Sequence, residues 1–553
     1  MKAPTLLATL IGLVAGVLMT WPMMTAPGTL ARMDSYDGKF SVWNVAWVAH
    51  ALVDDPTNIF NANIFHPHTG TLAYSEANLV AGAIAAPVYA VTHNPVLAHN
   101  VVVYVALVLA FVLTWSLVRR LTDSALAGLA PAAGFAFSAY SSAHTAHIQL
   151  LMVFVVPLVL LAFHRFVETT SPRRAVELGL ALAIAGLACA YYGLMMGMAV
   201  GVGAFWFGVR HEAPKQFWPG LVLAVIVTVS VIAPVLAPYA ELRDQDGFRS
   251  SLNIEEANRY SANHRAFLRG HSASLSLLPD AWSDGLRRYI GGDGEVLFPG
   301  VFILILAVAG TLTAWPIQRP QRRKADRTMT PQVVSFYGAL TLLALWASLG
   351  PRAGLYTVLA DWVPFMSFLR APARMGVLVL FSLAVLAGFG LARSERRRPW
   401  FSILLLALTM AELQVPWPLR PVPPVAEGYR MLAQLPRGGV LMLQFPYRSG
   451  EWFPHADYMF WSMYHWQPMV NGYSDYIPAD TRALAVPING FPDAASFRLL
   501  RERHVRYVAI DWRTYNEAAT VIMRARFTLY AQYLRPLVTT EPVSLYEIVA
   551  WPE

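Results

Sequence analysis

Long uncharged apolar runs separated by short polar connectors set the plan of this chain. Runs of roughly 16 to 25 residues, the length that crosses a bilayer as helix, begin near Ala3, Pro95, Ser124, Ile148, Gln216, Val296, Gln332, Met375 and Trp400. The run Leu178–Val209 is too long for one crossing and is expected to break near Tyr191-Tyr192-Gly193. Together these predict about eleven spans. One further apolar stretch, Leu79–Thr92, is shorter and carries Pro87. Beyond Pro416 no spanning run remains. Short β-rich segments, Gly439 to Phe445 and Val505 to Ile510, alternate there with helical patterns over Ala494–His504 and Glu517–Leu534, which fits a small soluble α/β domain. The expected fold is mainly α: a polytopic transmembrane helical bundle over 1–416, then an external α/β domain over 417–553.

Composition agrees with a membrane protein. The 553 residues are 56% hydrophobic and 14% charged, with mean hydropathy +0.44. A net charge of +8 does not point to nucleic acid, because the basic residues gather in connectors such as Arg322-Arg-Lys324 and Arg396-Arg-Arg398. Membrane topology accounts for them. If Leu79–Thr92 does not cross, then Arg119-Arg120, Arg165 to Arg174, Arg210 to Lys215, Arg319 to Arg327 and Arg393 to Arg398 all fall on one side. That makes Leu79–Thr92 an interfacial or re-entrant helix, the N-terminus cytoplasmic and 27–94 a large first external loop. The first run exceeds a signal-peptide core and lacks a clear Ala-x-Ala site, so it is read as a span. The lone Cys189 excludes an intrachain disulfide or a Cys-based zinc site. No Gly-rich phosphate loop follows a strand, and no repeat of 20–50 residues is present. The proline-rich stretch Pro416 to Pro424 reads as an extended spacer.

The first external loop concentrates polar and aromatic residues. Between Asp37 and Val53, the apolar residues Phe40, Trp43, Val45, Ala46, Trp47, Ala49 and Leu52 fall mostly at helical spacing. This predicts an amphipathic helix lying along the membrane with Trp43 and Trp47 at headgroup level. Asp37 is placed to cap its N-terminus, where free backbone N–H groups favour a carboxylate.

Several segments of the chain carry a family likeness. Asp34-Ser-Tyr-Asp37, Trp43-Asn-Val-Ala-Trp47, Asn61-Ala-Asn-Ile-Phe-His-Pro-His68, Leu72-Ala-Tyr-Ser-Glu76 and Asn94-Pro95 resemble the opening of bacterial GT-C type membrane glycosyltransferases, the YfhO-like group and more distantly the protein O-mannosyltransferases. Ala143-His-Thr-Ala-His-Ile-Gln149, Phe298-Pro-Gly300, Leu369-Arg-Ala-Pro-Ala-Arg374 and Asn471-Gly-Tyr-Ser474 continue the resemblance in order. It implies an external site for a polyprenyl-phosphate-linked sugar donor. An acidic residue of the first loop would act as general base on an envelope glycan, lipid or protein acceptor, with inversion at the anomeric carbon. Asp37 matches that position and Asp34 is the alternate. The mannosyltransferase-like members have adjacent Asp-Glu where this chain has Asp-Ser-Tyr-Asp.

The residues themselves suit that chemistry. An attacking hydroxyl must lose its proton, and a carboxylate desolvated near the membrane surface is a better base. The second carboxylate, or Glu76, would orient the acceptor or hold a divalent metal, Mg²⁺ or Mn²⁺. Arg370 and Arg374, spaced i, i+4 at the external entrance of a span, offer guanidinium groups to a lipid phosphate; anchoring to lipid headgroups is the competing reading. His66, His68, His144 and His147 fix no third metal ligand by spacing and are assigned to hydrogen bonding with polar substrate or backbone. The tail segment with Trp452, Tyr458, Trp461, Tyr464, His465, Trp466 and Tyr473, near Asn471 and Asp475, suits sugar rings or packs the domain; Trp466 and Asn471 are the substrate-binding candidates. A transporter or flippase of lipid-linked saccharides would carry ionisable residues in mid-span, and these spans are nearly free of charge. A non-catalytic envelope polysaccharide assembly protein has no need of the juxtamembrane carboxylates.

Overall fold

The structure, a computed structural model, describes residues 3–210, 215–242, 253–270, 289, 294–314, 324–363, 365–366, 369–395, 398–444 and 452–553. Much of the basic connectors at Arg210 to Lys215, Arg319 to Arg327 and Arg393 to Arg398, most of the loop after Pro238, and Phe445 lie outside the described residues.

The chain forms two compact units that cut across its order. One comprises Met1–Thr25, Val102–Val235 and Arg249–Trp417; the other comprises Ala26–Val101, Leu236–Phe248 and Pro418–Glu553.

The first unit is helical. Among the described residues five helices are long and apolar enough to cross a membrane: Pro95–Thr122, Ala190–Val209, Phe217–Leu242, Pro331–Ser348 and Pro372–Arg393. Ala3–Met19, Val301–Leu312 and Pro399–Leu413 are shorter apolar helices. The stretch expected as a span from Ser124 breaks into Leu129–Ala136 and Ala139–Ala143, and the one from Ile148 into Ile148–Leu151 and Val155–Glu168. The long run Leu178–Val209 does divide, at Cys189, where the helix Pro172–Ala188 ends in extended backbone and Ala190–Arg210 begins. Two helices touch backbone to backbone. A Cβ on Gly310 would sit 2.0 Å from the Leu386 carbonyl oxygen, and one on Gly390 would sit 2.3 Å from that of Leu306. Small residues permit this close approach, the usual means by which apolar helices associate without a hydrophobic drive between them.

The second unit is built on a four-stranded sheet of order β3-β4-β6-β5: β3 Gly439–Leu443, β4 Val505–Asp511, β5 Leu534–Val538 and β6 Val543–Ile548. β3 and β4 run parallel and the other pairs antiparallel. All five residues of β3 are buried, which explains its unbroken apolar sequence, since a strand covered on both faces has no polar side to alternate. The N-terminal part of the unit is laced into this sheet. β1, Leu30–Ala31, pairs with β2, Arg420–Pro421, so the proline-rich spacer is pinned at that point. Met469 bridges to Val440 of β3. It also donates to the Asn63 carbonyl at 3.0 Å and accepts from His66 at 2.7 Å.

The helix expected from Asp37 runs Tyr36–Asp54, and its character differs from expectation. Val42, Trp43, Val45, Ala46, Trp47, Val48, Ala49 and Ala51 are all buried. Trp43 is 1% exposed and Trp47 6%, so protein and not lipid headgroups covers both rings. Their indole N–H groups donate to Asn63 Oδ1 at 3.1 Å and to the Ile59 carbonyl at 2.8 Å. The polar residues of the loop fold over this helix, and an alternation that suits a membrane surface serves a protein interior. The helix Leu79–Thr92 packs on it through Gly82, where a Cβ would come within 2.2 Å of Val48 Cγ1.

Candidate active site

In the second unit, the N-cap of the Tyr36–Asp54 helix is Ser35, whose hydroxyl accepts from the Gly38 N–H at 3.3 Å. Asp37 therefore does not cap the helix. It stands in the first turn, where the helix dipole still favours a negative charge, and its Oδ1 accepts from the Tyr473 hydroxyl at 3.3 Å. Asp34 is engaged differently: Arg32 Nε donates to Oδ1 at 2.9 Å and Nη2 to Oδ2 at 3.5 Å. Of the two aspartates, Asp34 has both oxygens on one guanidinium.

Glu76 lies in a tightly held turn. Its carbonyl accepts from Asn44 and Asn78 at 3.1 and 3.0 Å, and the Tyr239 hydroxyl bridges its neighbours Ser75 and Ala77. His66 Nε2 is buried without a hydrogen-bond partner among the described residues, and burial holds the ring below the ordinary histidine range. His68 Nε2 meets Asp480 Oδ1 at 2.9 Å, and Arg503 holds the other Asp480 oxygen at 3.0 Å. Partial burial pushes the Asp480 carboxyl up, but His68 and Arg503 outweigh it and leave the group below its usual range. This pair opens on a cleft of about 770 Å³ lined by His68, Thr69, Tyr74, Glu241, Tyr476 and Asp480.

The tail candidates divide. Asn471 is fully buried, and its amide donates to the Met442 carbonyl at 2.9 Å while its oxygen accepts from the Met442 N–H at 2.8 Å. Both ends are spent on the backbone of β3, which makes Asn471 a structural clamp. Trp452, Tyr458, Trp461 and His465 are core residues. Trp466 is half-buried, stacked on His50 at 4.4 Å and 4°, and donates to the Tyr89 hydroxyl at 3.0 Å.

In the first unit, His144 closes the helix Ala139–Ala143 and His147 precedes Ile148–Leu151. They share no helical face, contrary to their i, i+3 spacing, because the chain turns between them. His144 Nδ1 lies 2.8 Å from the Tyr140 carbonyl, and Nε2 lies 3.1 Å from Glu295 Oε2. Glu295 was not legible as a site residue; its one signal is a carboxylate immediately before the apolar run at Val296. Burial pushes its carboxyl up, but the hydrogen bond and charge of His144, with Arg374 and His147 nearby, hold it below the ordinary range. Arg370 and Arg374 likewise do not share a helix, since Arg370 precedes the 3₁₀ turn Pro372–Met375 that carries Arg374. The Arg374 guanidinium lies 4.2 Å over the Tyr191 ring, with Nε buried and unpartnered among the described residues. Arg370 is more exposed, its guanidinium 3.8 Å from Glu256, and its backbone N–H donates to the Tyr191 hydroxyl. Among the described residues no three His, Cys, Asp or Glu side chains converge as a metal site. The Asp34 oxygens facing Arg32 do not supply the donor set that the sequence left open for Mg²⁺ or Mn²⁺.

The fold is similar to those of two solved glycosyltransferases. A mycobacterial arabinofuranosyltransferase, AftD, is similar to this chain with TM-score 0.58 and 15% identity over 99% of its residues. The chain spans 41% of that protein's length. The apo oligosaccharyltransferase of Archaeoglobus fulgidus is similar with TM-score 0.50 and 13% identity, over 97% of this chain and 72% of that one. By sequence the chain belongs to the family described as Domain of unknown function (DUF6311), matched over residues 43–415. A comparison with curated proteins finds no match.

Proposed function

We propose that this protein is a membrane glycosyltransferase that moves a sugar from a polyprenyl-phosphate-linked donor to an envelope acceptor on the external face. The observation that carries the reading is the GT-C architecture over nearly the whole chain, with an acidic first-loop residue, Asp37, in the position that the resemblance assigns to the base.

In this mechanism the acceptor hydroxyl gives its proton to the Asp37 carboxylate as its oxygen attacks C1 of the donor sugar. The C1–O bond to phosphate breaks with its electron pair left on the phosphate oxygen, and polyprenyl phosphate departs with the anomeric centre inverted. A positioned base contributes about 10²–10⁴-fold. The Tyr473 hydroxyl on Asp37 fixes the carboxylate's orientation. Asp34, bound to Arg32, orients rather than accepts. In the first unit, Arg374 and Arg370 offer a lipid phosphate charge-assisted contacts worth about 1.5–3 kcal/mol each, and Arg374 Nε has no hydrogen-bond partner among the described residues. The leaving group is already an anion, so no carboxylic acid need protonate it.

Mass analysis of envelope glycans and lipids from cells with and without the protein tests the reading. One sugar missing from one envelope polymer, with its unglycosylated precursor accumulating, is the expected result. The same missing sugar with its lipid-linked donor trapped on the cytoplasmic side would reassign the protein as a flippase, and an unchanged profile would overturn the reading.

A further inference from the structure

Beside Asp37 the surface of the second unit is aromatic. Tyr36 and Phe453 are 42% and 48% exposed, and their rings stack with centroids 6.4 Å apart and 25° between planes. Phe453 lies 5.3 Å from Tyr473, the residue whose hydroxyl reaches Asp37. From Tyr473 the rings continue inward through Phe40 to the buried Trp43, at 5.7 Å each. The exposed pair is thus the outer end of a packed aromatic series. Its rim is charged: Lys39 is paired with Asp457 and sits 5.4 Å over the Tyr36 ring.

A lipid surface and a sugar make different demands on such a patch. Aromatic residues that anchor to headgroups flank spans, and anionic groups beside them are unfavourable against anionic lipid. Here two carboxylates, Asp37 and Asp457, share the patch with the rings. A sugar ring has an apolar C–H face that covers an aromatic plane, and hydroxyls around its edge that need acceptors and donors. Flat rings bordered by carboxylates and an ammonium group supply both.

We propose that Tyr36, Phe453 and Tyr473 form the acceptor subsite, and that the acceptor is a saccharide whose attacking hydroxyl is delivered to Asp37. This rests on the transfer reading and narrows it, since a protein serine or a lipid amine has no ring to cover the platform.

The test uses full-length protein in nanodiscs, with oligosaccharides released from the envelope of cells lacking the protein as the acceptor probe. Tyr36→Ala and Phe453→Ala should each raise the acceptor KM about tenfold, the factor that corresponds to 1.4 kcal/mol, with kcat within about threefold. Phe453→Tyr should restore KM, and saturation-transfer NMR should show sugar C–H protons contacting aromatic side chains in the wild type but not in Phe453→Ala. An unchanged acceptor KM in both alanine variants overturns the subsite. So does a loss of binding to phospholipid vesicles with glycan use intact, which would make the pair a membrane anchor. Loss of kcat on Asp37→Asn is a separate arm: its failure falls on the transfer reading, whereas unchanged KM in the aromatic variants falls on this one alone.

Discussion

Replacing Asn471 with alanine separates a structural role from a binding role at a position that the sequence offers as a sugar contact. The amide holds the Met442 N–H and carbonyl from one side at 2.8 and 2.9 Å, inside a fully buried strand. Alanine removes both partners and leaves two backbone groups unsatisfied, each costing about 1–3 kcal/mol. The sum, about 2–6 kcal/mol, lowers the unfolding temperature of a unit of this size by roughly 5–20 °C. Thermal unfolding of detergent-purified protein followed by tryptophan fluorescence reads that loss, and acceptor KM on the fraction that stays folded should be unchanged. An unaltered unfolding temperature, or a raised acceptor KM at full stability, would refute the clamp.

Gly82→Val should destabilise the second unit by 1–3 kcal/mol or more, because its Cβ would meet Val48 at 2.2 Å; urea unfolding of the variant against wild type measures it. Acid should weaken the same unit from about pH 6.5 downward. Burial depresses His66, and it takes His455 to about 4 and His465 to about 3, so the unfolded chain binds these protons first and stability is lost as pH falls through that window, by about 1.4 kcal/mol per pH unit for each group. His66→Gln should flatten the upper part of that curve. Reporter fusions after Leu121 and after Glu553 should report opposite sides of the membrane, and same-side signals would sink the assigned topology.

The sequence reading succeeds where one property of a segment decides the outcome. The helix Leu79–Thr92 begins and ends where its apolar run does, and the over-long run after Leu178 breaks because no single span can hold it. It falls short where two local choices are nearly equal. Ser35 and Asp37 are both good caps, and the approach of the Gly38 N–H settles the matter for Ser35. It also falls short where the answer depends on distant partners. An apolar stripe with Trp43 and Trp47 fits a membrane surface or a protein interior equally well, and the contacts that choose the interior come from segments remote in sequence, such as Trp466 against Trp47 and Tyr473 against Phe40. For the same reason the aromatic tail supplies mostly core residues, while the exposed rings beside Asp37 come from Tyr36 and Phe453. Glu295 gave little sign of itself because its meaning lies in His144, far earlier in the chain.

The central claim is that Asp37 takes the acceptor's proton. Asp37→Asn keeps shape and polarity in the first helical turn and forgoes a dipole interaction of only about 0.3–1 kcal/mol, so the purified, correctly inserted variant should remain folded. Its rate of sugar transfer from the lipid-linked donor should fall about 10²–10⁴-fold, with Asp34→Asn costing less. Full activity in Asp37→Asn would contradict the account, and a dead Asp34→Asn beside an active Asp37→Asn would move the base to Asp34.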